Sequence, residues 1–122
     1  MATKNALRLH EVKTVSAAGL ATIQSEVVPH DQVWCIQRLT IEGSLVPSGG
    51  NTRCRLYIDG HGYKHYLSEQ DAPVAGALYW YDDPVWLIPG ERIAVDWDQA
   101  QADTTLELIA TGYWTEAKEG IV

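Results

Sequence analysis

The sequence predicts an all-β fold, an antiparallel β-sandwich arranged as a jelly roll of about eight strands. Three observations carry that expectation. Apolar residues alternate with polar ones in short runs, turn-forming residues separate those runs, and no segment keeps an apolar face at 3.6-residue spacing through three helical turns.

The elements follow in chain order. Residues 7–14 are expected to form either a first strand or an N-terminal arm, and residues 20–28 a further strand. In VWCIQRLTIE, residues 33–42, Val33, Cys35, Leu39 and Ile41 share one parity while Trp34, Ile36, Arg38, Thr40 and Glu42 share the other, so the run reads as a strand with one buried face. RCRLYID, residues 53–59, points Cys54, Leu56 and Ile58 inward and Arg53, Arg55, Tyr57 and Asp59 outward. Strands are expected near 63–67 and 77–81. RIAVDWD, residues 92–98, turns Ile93, Val95 and Trp97 inward, and TLELIATGYW, residues 105–114, turns in Leu106, Leu108 and Ala110.

Turn chemistry fills the gaps: Val28-Pro29, Pro47-Ser48-Gly49-Gly50-Asn51, Asp59-Gly60-His61-Gly62, Asp82-Asp83-Pro84 and Pro89-Gly90. Each offers a preset proline φ, a glycine free to take positive φ, or a side chain that folds back on the backbone. VWLIPGERIAVDWD, residues 85–98, therefore reads as a corner, an apolar run bent at Pro89-Gly90 before a strand leaves it. Trp86 is placed to cap the end of the core there. The whole of 1–122 is expected to form one domain, with residues 1–6 and 115–122 as loosely held ends.

Composition narrows the function. The chain has 122 residues, 46% apolar and 20% charged, which is ordinary for a globular domain. A net charge of −7 opposes nucleic-acid binding, which draws its affinity from clustered Lys and Arg. No apolar stretch approaches the ~18 residues needed to span a bilayer, and the N-terminus lacks a secretion-type apolar core, so a soluble, unsecreted product is expected. Cys35 and Cys54 lie in strand patterns without CxxC spacing and are expected as buried reduced thiols.

Chemistry-bearing residues are present but ungrouped. His61 and His65 with Asp59 invite a metal, yet i, i+4 ligands share a face only on a helix, and Gly60 and Gly62 argue against one. Loop and strand histidines, with no metal and no cofactor, are the expectation. Asp96, Asp98 and Asp103 lack the glycine and terminal glutamate of a calcium loop. Asp82, Asp83, Glu91 or Asp96 could supply the paired carboxylates of a glycosidase, but sequence does not give their separation and 122 residues leave little room for a substrate cleft; no nucleophile elbow, zinc helix or phosphate loop is spelled out. An enzyme is not expected.

The aromatic usage is the informative anomaly. Five tryptophans and six tyrosines, with no phenylalanine, crowd into LYWYDD, PVWL, VDW and GYW. Rings with a polar handle suit sites that are apolar on one side and wet on the other. Tyr79, Trp80, Tyr81 and Trp86 are the candidate interaction residues, as anchors at protein contacts or as a platform for sugar rings. Core packing is expected to take Trp34 or Trp97.

The order of SEVVPHDQVWCIQRLTIEG, RCRLYIDG, LYWYDDPVWLIPGERIAVDWD and TTLELIATGYW resembles the small jelly-roll structural proteins of tailed bacteriophages over roughly residues 20–114. The resemblance implies a non-enzymatic virion component, assembled in the host cytoplasm. It would be a decoration protein on the outer head surface or, as a lesser alternative, a neck or tail accessory protein. Its partners would be the major capsid protein or other virion proteins, and it would form a homo-oligomer whose weak contacts are multiplied by avidity. Loops 43–52 and 59–66 and an arm over residues 1–12 would reach neighbouring subunits. The alternative is a carbohydrate-binding β-sandwich module, with glycan on the aromatic platform. A metal-dependent enzyme on the same roll forms a third class.

Overall fold

The computed structural model describes residues 3–44, 53–71 and 78–117, with residues 70–71 and 78–80 at the level of the backbone. The strands are β1 (Asn5–Thr14), β2 (Gly19–Gln24), β3 (Gln32–Gly43), β4 (Arg53–Gly60), β5 (Tyr63–Asp71), β6 (Leu78–Tyr81), β7 (Val85–Leu87), β8 (Arg92–Ala100) and β9 (Thr105–Glu116). No helix occurs among the described residues.

Two antiparallel sheets result. The first runs β1-β9-β3, with β6 and β7 both paired to the far side of β3; the second runs β2-β8-β4-β5. Tyr81 pairs with Leu39 and Val85 with Ile36, so β6 and β7 are one edge strand interrupted by Asp82-Asp83-Pro84. Counted that way there are eight strands among the described residues, and the sheets read first-eighth-third-sixth and second-seventh-fourth-fifth. This interleaving of early and late strands is a jelly roll.

The core lies between the sheets. Trp34, Ile36, Leu39 and Ile41 from β3 meet Leu56 from β4, Ile93, Val95 and Trp97 from β8, and Leu106, Leu108 and Ala110 from β9. The inward sets expected for β8 and β9 are therefore the observed ones. Both candidate core tryptophans are buried, each at 1% exposure.

β3 departs from simple alternation. Its register with β9 shifts between Ile36 and Arg38, leaving Gln37 as an extra, exposed residue. That bulge switches parity, so Trp34 and Ile36 share the core side with Leu39 and Ile41, whereas Cys35 and Arg38 lie on the outer face. Gly112 stands opposite the bulge, where an added Cβ would collide with the Cys35 carbonyl oxygen. Only a glycine admits that approach of backbone to backbone.

The Pro-Gly corner carries the chain from the first sheet to the second. The Glu91 amide donates to the Ile88 carbonyl (3.1 Å), and the Glu91 carboxylate accepts from the Ile88 amide (2.9 Å). Val28, itself buried in the core cluster, fixes the corner, its amide donating to the Glu91 carbonyl (2.8 Å) and its carbonyl accepting from the Gly90 amide (3.1 Å). Gly90 takes a φ of +90°, a region closed to most side chains. Trp86 does not cap the core as expected. It is the outward member of β7, 55% exposed, because Val85 and Leu87 take the inward positions.

Two further expectations are corrected. Residues 5–12 are not a free arm: β1 pairs with β9 continuously from Asn5↔Trp114 to Thr14↔Thr105. Pairing also reaches into both segments expected as loose ends, through Asn5, Ala6, Thr115 and Glu116. Residues 59–66 are the tip of the β4–β5 hairpin, and residues 45–52 of the other expected loop lie outside the described residues.

Candidate interaction surface

The outer faces of the two sheets differ in character. On the first, one row across the strands holds Ala6, Tyr113, Cys35 and Trp86. Trp86 meets Tyr113 edge to face, with ring centroids 5.9 Å apart, and the Lys4 ammonium lies 4.5 Å over the Tyr113 ring. Such arrangements follow the ring quadrupole, positive at the edge and negative on the face. Cys35 is buried beneath this group without belonging to the core cluster. Desolvation and a hydrogen bond to the Cys35 thiol raise the Tyr113 phenol above its ordinary pKa. The next row holds Arg8, Thr111 and Arg38, all exposed.

The second sheet's outer face is a bonded polar network. Asp96, 6% exposed, accepts hydrogen bonds at Oδ1 from the Tyr57 and Thr22 hydroxyls, each 2.7 Å away, and Lys64 Nζ lies 3.7 Å from Oδ2. Burial first, and then the bond to Asp96, push the Tyr57 phenol well above its ordinary range. Tyr57 was expected outward with Arg53 and Arg55. It does lie on that face, but Tyr66 and Lys64 cover it, at 5.3 Å between ring centroids and 4.9 Å from ammonium to ring. Arg55 donates to both Glu69 (2.8 Å) and Asp98 (2.6 Å), bonds that raise its own pKa. Cys54 faces the core, where desolvation raises its thiol to about 12.

The candidate chemical groups are dispersed. His61, at the hairpin tip, places Nε2 3.1 Å from the Pro89 carbonyl and so clasps the corner, while His65 sits exposed on β5 opposite Ile58. No three His, Cys, Asp or Glu side chains among the described residues stand together as a metal site. Asp82 and Asp83 are exposed in the edge-strand break, Glu91 is used in the corner, and Asp103 is in the turn after β8 with φ at 68°. An open cleft of about 270 Å3 lies between the β1 and β2 edges, lined by Glu11, Val12, Lys13, Thr22, Ile23 and Gln24. Lys13 already donates across it to the Thr22 carbonyl (3.0 Å). No described helix is long and apolar enough to cross a membrane.

Of the four candidate interaction residues, Trp86 is at the surface and Tyr81 is partly buried against the core. These two do not form a common platform. Tyr79 and Trp80 pair with Ile41 and Thr40, and their side chains lie outside the described residues. Tyr113, Lys4, Arg8 and Arg38, which share the face with Trp86, were not singled out by sequence. Tyr113 belongs to the aromatic-rich GYW segment, but its neighbourhood depends on β9 pairing with β3.

No protein-family model matches the sequence, and no curated protein matches it. Among solved structures, the chain is similar to one in the acidic stable capsid structure of Helicobacter pylori bacteriophage KHP30. The TM-score is 0.63 at 10% identity, over 97% of this chain and 99% of that one. It is also similar to a chain of the infectious bursal disease virus Gx strain, with a TM-score of 0.50 at 10% identity, over 99% of this chain and 32% of that one. The protein therefore has a jelly-roll fold of the kind present in viral capsid structures.

Proposed function

We propose that the protein is a non-enzymatic structural component of a tailed-phage virion, a decoration protein that binds and stabilises the outer head surface. The observation that carries this reading is the end-to-end likeness to the phage capsid chain, 97% of one against 99% of the other, so that a single jelly roll accounts for both. Each protomer would add a small contact, and the symmetry of the shell would multiply it. Trp86 and Tyr113, stacked edge to face on the outer side of the first sheet, support the same reading, since aromatic rings are enriched at protein contacts.

Mechanistically, a protein that binds one state of a shell shifts the shell toward that state by mass action. Purified protein mixed with phage heads should co-sediment with them and raise their disruption temperature. Heads that neither bind it nor gain stability would contradict the proposal. A glycan reading would call for tryptophan fluorescence to respond to added sugars.

A further inference from the structure

The outer face of the first sheet sorts its charges by row. Arg8, Thr111 and Arg38 form one row across β1, β9 and β3; His10, Ile109 and Thr40 form the next; Val12, Glu107 and Glu42 form the third. Cations gather at one end, extended by Lys4 above Tyr113, and carboxylates at the other. Arg38 reaches this face through the Gln37 bulge, which sets it in register with Thr111.

Most of these charges are unpaired among the described residues. Glu107 contacts His10 at 3.1 Å, but Arg8, Arg38 and Glu42 make no ion pair among the described residues. Arg38 and Glu42 lie four residues apart on one strand, roughly 13 Å at the strand rise. That exceeds both contact distance and the screening length of about 8 Å in physiological salt.

We infer that this face binds a second copy of the chain, sheet against sheet, about a two-fold axis lying along the His10–Ile109–Thr40 row. That axis exchanges the flanking rows. Arg38 of each copy comes opposite Glu42 of the other, and Thr111 comes opposite Glu107. Sheets stacked face to face lie about 10 Å apart, within reach of Arg and Glu side chains extending toward each other. Half-buried Ile109 stands at the centre of the contact, and Trp86 with Tyr113 lies at its rim. The patch is only three strands wide and three rows deep, a small contact, so the dimer is weak in solution.

Sedimentation equilibrium from micromolar to millimolar concentration tests this directly. The wild-type chain should dimerise, and Arg38→Glu or Glu42→Arg alone should weaken the dimer about tenfold or more, because each reversal places like charges opposite each other twice. Mixing the two single variants should restore association, as should combining them in one chain, since every facing pair is again opposite in sign. Melting curves report that each variant is folded. If Glu42→Arg does not fold, Glu42→Gln removes the charge at nearly constant shape and must also weaken the dimer. A monomeric wild-type chain, a dimer indifferent to the reversals, or single variants that fail to complement each other would overturn the inference. None of these outcomes bears on the virion reading, which stands or falls on association with particles.

Discussion

Asp96 is a buried carboxylate whose lost hydration is compensated by two hydroxyls and an ammonium contributed by three other strands. Removing one of those donors leaves the charge short of a partner, so Tyr57→Phe should lower stability by about 1.5–3 kcal/mol in urea unfolding. Tyr66→Phe, at an exposed ring, should stay within about 0.5 kcal/mol. Equal small losses for both would show that the Tyr57 bond contributes nothing. Cys54 gives a second prediction, with its sign fixed by linkage. Its thiol is raised from 9.0 to about 12 in the fold, so the protein prefers the protonated form. The stabilisation is complete below pH 9 and is lost as the pH climbs from 9 through 12, and Tyr57 acts in the same direction from its ordinary value of 10.0 upward. The urea midpoint of the wild type should therefore fall above pH 9 more steeply than that of Cys54→Ala; parallel curves would contradict the assignment. Alternation in the sequence placed Tyr57 on the correct face but could not show its burial. That depends on Tyr66 and Lys64 of the next strand, neighbours that the local pattern does not encode.

At the level of elements, β8 was legible because alternation holds through Ile93, Val95 and Trp97, its own register shift falling only beyond Trp97, whereas β3 was not because one bulged residue changes the parity in mid-strand. The sequence pattern assigned Trp34 and Ile36 the parity of Arg38. The backbone step at Gln37 separates them, and it is this step that brings Arg38 to the face holding Arg8. Gly112 is the matching half of that device. Gly112→Ala should cost about 3 kcal/mol or more or prevent folding, because the atom in the way is backbone and cannot rotate aside. Gly62→Ala, where no atom lies within 4 Å and only the φ of +89° is unfavourable, should cost about 1 kcal/mol. Comparable melting temperatures for the two would remove the special role given to Gly112. The N-terminal segment changes meaning in the same way. Deleting residues 1–12 removes most of β1, including Leu7 and Leu9 from the core, and uncovers the β9 edge. Such a truncation should aggregate or unfold rather than leave an intact sandwich lacking one contact; a soluble, cooperatively melting product would show that β1 is dispensable.

For the molecule as a whole, strand number and class followed from alternation and turn chemistry, whereas strand order did not. The pairing of β1 with β9 joins residues about a hundred positions apart, and nothing in either segment names its partner. The surface shares that dependence. Trp86 could be picked out as a ring with a polar handle, but Tyr113, Arg8 and Arg38 become its neighbours only once β1, β9 and β3 lie side by side. A compact acidic roll with an aromatic and basic area on one sheet suits a role in which many identical copies bind a repeating surface. The measurement that bears most directly on that role is quantitative mass spectrometry of gradient-purified particles from the source lysate. This chain should be present in the particles at on the order of hundreds of copies, as a shell decorated across its symmetry-related sites requires; complete absence from the particles would contradict that role.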